Sequence, residues 1–272
     1  MKILIACEES QVVTIAFRNL GFEAYSCDIQ ECSGGYPEWH IQGDAIQEAY
    51  SGTYDLMIAH PPCTYLSKAG ARWMFPTAGN ISQDRYASAM KGKEFFLKLL
   101  NAPIKYIAVE NPFPLKVVEL PKESQTIQPY EYGEPFSKKT LLWLKNLPLL
   151  EPTDIVSEYI PLVKSNTGGK KRGQMARPNN LTSKETSKTF KGIAEAMADQ
   201  WSRFFLKQIF YEGFEGHITN SVNPYQKDTI FYKTYERGKK RAYYVGETDL
   251  DFLPKPRPWN GGQIIIYPQP PI

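Results

Sequence analysis

Four short apolar runs constrain this chain more than any other feature. They are Lys2–Cys7 (KILIAC), Phe22–Cys27 (FEAYSC), Asp55–Ala59 (DLMIA) and Lys105–Val109 (KYIAV). Each has the length of a buried strand and ends at an acid, a proline or a turn to polar residues. Helical signals lie between them. Ser10 stands where an N-cap would, Val13, Phe17 and Leu20 share one helical face, and Gly21 suits the position just past a helix end. Ser82 opens a second helical stretch, with Met90, Phe96 and Leu100 among its apolar positions. Strand–helix–strand alternation of this kind calls for an α/β fold: a parallel sheet with helices on both faces. Thr140–Leu144 (TLLWL) adds a strand, and Phe190, Ile193, Met197, Trp201 and Phe204 mark one face of a later helix.

Residues able to do chemistry gather at the C-terminal ends of these strands: Cys7–Ser10, Asp28, His60–Cys63 and Glu110–Pro112. Open α/β sheets bind ligands outside those ends. Pro61-Pro62 fixes a rigid turn after a buried strand and holds Cys63 at the sheet edge. A cysteine nucleophile needs such a held position and a lowered pKa, although a lone cysteine there also reads as a small buried residue. Glu110, followed by Asn111-Pro112, can face the same crevice; alone it reads equally as a capping or salt-bridged acid. A thiol and a carboxylate at two strand ends of one sheet form a candidate covalent site. Asp28 closes the second strand, where a carboxylate commonly accepts hydrogen bonds from a ribose. Asp44, in Gln42-Gly43-Asp44-Ala45, can receive an adenine amino group. His60 can tune Cys63, but beside a proline turn it reads first as structural.

The chain has 272 residues, of which 42% are hydrophobic and 22% charged, which excludes disorder as its main state. No apolar run approaches the ~20 residues needed to span a bilayer. The opening MKILIACEES lacks a small-residue cleavage site and reads as a strand, not a signal peptide. All four cysteines fall in the first quarter, which argues against a disulfide framework and for the cytoplasm. Cys7, Cys27, Cys32 and His40 do not have zinc-site spacing, and no metal is expected. Residues 1–60 carry nine acids and two bases, a balance of −7, so the remainder is +10 in a chain of net charge +3. Over 164–191 there are eight Lys/Arg and one acid, a pattern that suits either a polyanion site or a solvated basic loop. The expected divisions are a core over 1–145, a short basic recognition segment over 146–188, a completing helix over 189–205, and an aromatic-rich β appendage over 206–272. In that appendage, Thr229–Glu236 and Arg241–Gly246 flank an Arg-Gly-Lys-Lys turn and read as a hairpin. It holds 12 of the 36 aromatic residues and nine Lys/Arg. That composition can track nucleic acid, though a small β-subdomain whose aromatics pack on the main body is the simpler reading.

In this order the residues resemble the cytosine-5 DNA methyltransferase superfamily, and more closely the short cytosine-methyltransferase-like proteins common in bacteriophage genomes. The stretches that carry the resemblance are CEESQVVTIAFRNLGFEAYSCDI (7–29), QGDA (42–45), DLMIAHPPCTYLS (55–67), IAVENP (107–112), IQPYEYGEPFSKKTLLWL (127–144) and TFKGIAEAMADQW (189–201). The likeness covers 1–203. It implies a Rossmann-like sheet of the S-adenosylmethionine-dependent methyltransferases and methyl transfer to carbon 5 of cytosine in DNA, in a bacterial or phage-infected cytoplasm. By the same resemblance, Cys63 adds to carbon 6 of the base and Glu110 holds ring nitrogen N3 in its protonated form, with Asn111 beside it. The chemistry is coherent, because carbon 5 is a poor nucleophile until a thiolate has added, and addition needs the ring to take a proton. The base must leave the duplex to reach them.

The resemblance assigns the cofactor to Cys7, Glu8 and Ser10 in the first loop, Asp28 at the ribose, Ile29 on the adenine face, and Asp44 with Ala45 at the adenine amino group. Pro61 and Trp201 complete that pocket. Substrate contacts are Pro62, Ser67, Lys138 and Thr140, with the basic Lys170, Lys171 and Arg172. The first loop departs from the family in lacking glycines, and Glu8 and Glu9 are then available to the methionine ammonium. Glu-Asn-Pro replaces Glu-Asn-Val, and a large recognition domain is absent. Methyltransferases acting on amino groups put an aromatic residue after their Pro-Pro turn, where this chain has Cys63. Two alternatives stay open: related thiol chemistry on RNA, on a nucleotide or with another donor, and a catalytically silent DNA-binding module.

Overall fold

The computed structural model describes residues 1–77, 80–162, 188–212, 229–236, 239–246, 258–259 and 262–263. Lys170, Lys171 and Arg172 lie outside these residues. The chain divides into two compact units, 1–203 and 204–272.

The first unit is built from β1 (Lys2–Ala6), α1 (Val12–Asn19), β2 (Glu23–Asp28), β3 (His40–Gln42), α2 (Ala45–Ala49), β4 (Leu56–Ala59), α3 (Ala71–Met74), α4 (Gln83–Leu100) and β5 (Tyr106–Pro112). Then come β6 (Gln125–Ile127), β7 (Phe136–Ser137), β8 (Thr140–Lys145), β9 (Ile160–Pro161) and α5 (Lys191–Glu212). Seven strands form one sheet in the order β3-β2-β1-β4-β5-β8-β6, while β7 and β9 pair separately. β1 to β5 are mutually parallel, and β8 runs antiparallel between β5 and β6. This is a Rossmann-like α/β sheet with helices packed against it.

Both faces of the sheet are covered. Leu4, Ala6, Met57, Ala59, Ile107 and Val109 pack with Ala45 and Ala49 of α2 and Phe96 and Leu99 of α4. The alternate residues Ile3, Ile5, Leu56 and Ile58 are just as buried. Period-2 alternation with both sets apolar is what a doubly covered parallel sheet requires. Phe96 meets Trp143 of β8 edge-on with ring centres 4.9 Å apart. The Trp143 indole donates to the Pro121 carbonyl at 2.8 Å, which satisfies its one polar atom in the core.

The structure amends several expectations. α1 is capped at Gln11, not Ser10, and the side chain that serves its first turn is Glu8. Leu20 is 39% exposed, because it lies beyond the last helical turn and so leaves the core face. Ser82 does cap α4, accepting from the Arg85 amide. β5 runs on through Glu110-Asn111-Pro112 because β8 pairs with those residues, Glu110 facing Leu142 and Pro112 facing Thr140. β3 and β6 were not anticipated; three residues each is too short to display a period. In the second unit the hairpin forms from β10 (Thr229–Glu236) and β11 (Lys239–Gly246). Glu236 pairs with Lys239, so Lys239 and Lys240 belong to the strand and not to the turn.

Candidate active site

The turn after β4 is organised residue by residue. The His60 amide still donates to the Ala6 carbonyl at 2.9 Å, extending the β1 alignment by one step. Pro61 and Pro62 then end the ladder, since neither has an N–H to give. The Cys63 carbonyl accepts from the amides of Leu66 and Ser67, both at 3.0 Å. That tight turn brings the Ser67 hydroxyl back to the Cys63 sulfur. On the neighbouring strand Val109 pairs with Ala59, so Glu110 and His60 leave the pairing at the same level. Asn111, buried, donates its side-chain amide to the Pro61 carbonyl at 2.8 Å and clamps the proline turn to β5. Its position in the expected catalytic set is therefore one of holding the turn.

His60 Nδ1 donates to Glu110 Oε2 at 2.9 Å. The Thr189 hydroxyl lies 3.4 Å from the same nitrogen and hydrogen-bonds Glu110. Lys138 acts electrostatically on Cys63, His60 and Glu110 alike. With Thr140, Thr189, Phe190 and Ile193 it lines a small recess against Glu110. Burial pushes the Glu110 carboxyl up, but the His60 bond and charge, Lys138 and Thr189 together hold it below the usual carboxylate range. Burial pushes the His60 imidazole down, and Glu110 and Glu8 together carry it above the histidine range. Both shifts favour an imidazolium–carboxylate pair. Burial and Glu110 raise the Cys63 thiol, against Lys138 and Ser67, so the sulfur rests protonated.

The side expected to hold a cofactor takes its form from the loop after β1. The amides of Cys7 and Glu8 both donate to the Cys27 carbonyl, at 2.7 and 3.3 Å. Cys7 and Gln11 adopt φ values of 60° and 59°. The loop therefore makes the left-handed turns usually left to glycine, at about 1–2 kcal/mol for each residue. Gln11 offsets its share through a buried side chain that donates to the Tyr36 carbonyl at 2.8 Å and accepts from the Tyr36 amide at 3.1 Å. Gly34 sits so close above that a Cβ on it would meet Gln11 Cβ at 2.5 Å and the Ser10 carbonyl at 2.7 Å.

Glu8 is buried and accepts from Val13 N at 2.7 Å, Thr14 N at 3.2 Å and Thr14 Oγ1 at 2.8 Å. It is the cap of α1, which corrects the expectation that its carboxylate is open to an ammonium. Asp28, half-buried, accepts from the Gln30 amide at 2.9 Å, and Asp44, exposed, caps α2 through the Ile46 amide at 2.8 Å. Burial, and then the charges of Asp28 and Asp44, push the half-buried Cys7 thiol up. Ala45 is buried. Ile29 is 78% exposed, an apolar side chain left uncovered at the strand end. Trp201 is not brought to this group. It is fully buried, its indole donating at 3.2 Å to the carbonyl of Pro148. Pro148 follows β8, which stands three strands from β1 in the sheet.

Three residues join the site that the sequence reading left structural or unmarked. His60 had one usable signal, its place directly after a buried strand beside the strand carrying Glu110. Thr189 had none, being 129 residues from its partner. Gln11 had none either, since nothing in the sequence marks a glutamine as the anchor of a left-handed turn. A cleft of about 390 Å³ is lined by Glu134, Asp154, Glu195 and Asp199, with Lys191, and by none of the expected site residues. Its charge is the wrong sign for a polyanion. Among the described residues no helix is long and apolar enough to cross a membrane, and no three metal-ligating side chains converge.

No family model matches the chain, and no curated protein matches it. Among solved structures it is similar to a protein of an E. coli prophage assigned as a DNA modification methyltransferase, at 12% identity and a TM-score of 0.36, over 60% of this chain and 53% of that one. It is also similar to a mutant of Spodoptera frugiperda DNMT2, at 18% identity and a TM-score of 0.33, over 61% of this chain and 56% of the other. The chain thus matches little more than half the length of each.

Proposed function

We propose that the protein is an S-adenosylmethionine-dependent methyltransferase that modifies carbon 5 of cytosine in DNA through a covalent adduct with Cys63, acting in the cytoplasm. The observation that carries this reading is the convergence of Cys63, Glu110 and Lys138 at adjoining strand ends. Cys63 is the nucleophile toward carbon 6, and the Lys138 ammonium favours its thiolate. Glu110 binds N3 of the ring. Ser67 orients the sulfur, Thr140 and Pro62 border the base, and Asn111 keeps the turn and the strand in register.

The adenosine half of the cofactor fits the residues present. Asp28 suits the ribose hydroxyls, the uncovered Ile29 suits the adenine face, and Asp44 beside Ala45 suits the amino group. Cys7 and Ser10 belong to the loop that borders this half. When bound, S-adenosylmethionine supplies an electrophilic methyl group. Glu8 and Trp201 are not among its ligands.

The test is mass spectrometry of nucleosides from the DNA of cells expressing the protein, beside a Cys63→Ala control. The expected result is a 5-methylcytosine peak that vanishes in the control. A modified cytosine of another mass would replace the donor. A product confined to RNA or to free nucleotides would replace the substrate. No modified base at all, from abundant folded protein, would leave a nucleic-acid-binding module in its place.

A further inference from the structure

We propose that His60 is the positioning residue and proton reservoir for Glu110. The inference rests on the methyltransferase reading above.

The two histidines among the described residues behave differently. His40 has both ring nitrogens occupied, Nδ1 by the Ser26 hydroxyl at 2.8 Å and Nε2 by the Gln30 carbonyl at 2.9 Å. That is how a histidine with a purely architectural role is held. His60 has its firm hydrogen bond on one side only, to Glu110, and its Nε2 is buried without a hydrogen-bond partner among the described residues. A buried nitrogen left so costs free energy, and the fold keeps it there.

The surroundings explain what is gained. From the loop after β1 the buried Glu8 faces His60, from β5 Glu110 does, from the approach to β8 Lys138 does, and ahead of α5 stands the neutral Thr189 hydroxyl. Two acids against one base favour a cation at His60. Nδ1 engages Oε2 of Glu110 and so leaves Oε1 as the oxygen open to a base ring.

The pair then holds one proton beside the position where the reaction needs one. With the Cys63 proton lost to solvent, the thiolate forms the S–C6 bond and the C5=C6 π pair shifts onto carbon 5. N3 takes the proton of the pair: Nδ1 releases it to Oε2 of Glu110, the carboxyl group turns to present that O–H to the ring, and Glu110 passes it to N3. His60 is left neutral, Glu110 ionised and holding the N3–H, and the adduct uncharged, so the total charge is unchanged. Without the reservoir, addition would build an anion on the ring.

The experiment has two arms. The chain has three histidines, so their imidazole resonances can be followed individually by NMR. In the first arm, Glu110→Gln should move the His60 titration downward, below the ordinary histidine range, while His40 stays in place. A His60 titration that ignores Glu110→Gln overturns the pairing, whatever the activity. In the second arm, His60→Asn keeps an N–H aimed at Glu110 but cannot hold an exchangeable proton. It should keep KM for DNA, lower kcat by about 100- to 1000-fold, and lose the fall in activity at high pH that His60 imposes on the wild type. His60→Ala should lose more kcat than His60→Asn. A His60→Asn enzyme with wild-type kcat and pH profile overturns the reservoir. Wild-type protein that modifies no nucleic acid, while its His60 titration still responds to Glu110→Gln, overturns the methyltransferase reading and the delivery of a proton to N3 with it.

Discussion

The loop after β1 and the turn after β4 emerge from neighbouring strands of one sheet, yet they use their polar groups in opposite ways. In the first, the polar side chains hold the backbone: Glu8 caps α1 and Gln11 grips Tyr36, and at the strand ends beside it Asp28 and Asp44 each accept from an amide two residues on. In the second, the backbone is held by prolines and by Asn111, and the chemistry-bearing groups act on one another instead. A loop without glycine must be tied down by its own side chains, whereas a Pro-Pro turn is rigid already. Substitutions on the first side should therefore appear mainly as lost stability, and on the second mainly as lost activity.

The sharpest test of that contrast is Cys63→Ala, which should abolish base modification and leave the melting temperature within a few degrees of wild type. Residual modification measured by nucleoside mass spectrometry would remove the covalent mechanism. Next, Glu110→Gln should lower kcat by several orders of magnitude. A loss below tenfold in a methyl-transfer assay would mean that another group serves N3.

On the other side, Glu8→Ala leaves the first amides of α1 buried without an acceptor. It should cost about 2–3 kcal/mol in urea unfolding, with a smaller effect on kcat. A larger loss of activity than of stability would break the comparison. Asp44→Ala should cost about 1 kcal/mol through the lost cap, whereas Asp44→Asn, an equally good cap, should keep stability. If Asp44 also reads the adenine, Asp44→Asn will still raise KM for the cofactor.

The smallest effect is on pH dependence. Glu110, depressed in the folded state, contributes stability above its unfolded pKa and loses it as pH falls through the folded value. His60, raised in the folded state, contributes below its unfolded pKa and loses it as pH rises through the folded value. Melting temperature against pH should accordingly be highest between those limits. The combined His60→Asn, Glu110→Gln variant should flatten both shoulders.

The parts of this fold that the sequence made legible are those where apolar residues run unbroken. β1, β4 and β5 are buried on both faces, so their runs of Ile, Leu, Val and Ala admit little else. β3 and β6 were invisible because His40–Gln42 and Gln125–Ile127 owe their pairing to neighbours and not to their own pattern. Glu110 was legible because it follows directly on such a run, and Cys63 because a Pro-Pro turn ties it to one. The pairing of His60 with Glu110 was not, since it joins residues 50 apart that only the sheet order makes adjacent. Trp201 was misplaced for a related reason. Helical periodicity identifies the buried face but not how far along the sheet a residue lies, and eight residues of α5, about 12 Å of rise, separate it from Ile193 beside Glu110.

The insertion of β8 between β5 and β6 also has a consequence for the order of events during synthesis. Cys63 and Glu110 are translated early, but Lys138 reaches them only when β8 enters a sheet whose other strands already exist, and Thr189 comes later still. A chain emerging from the ribosome carries its thiol and its acid without the cation and hydroxyl that complete their surroundings. The reactive centre is thus assembled last, after the scaffold that confines it.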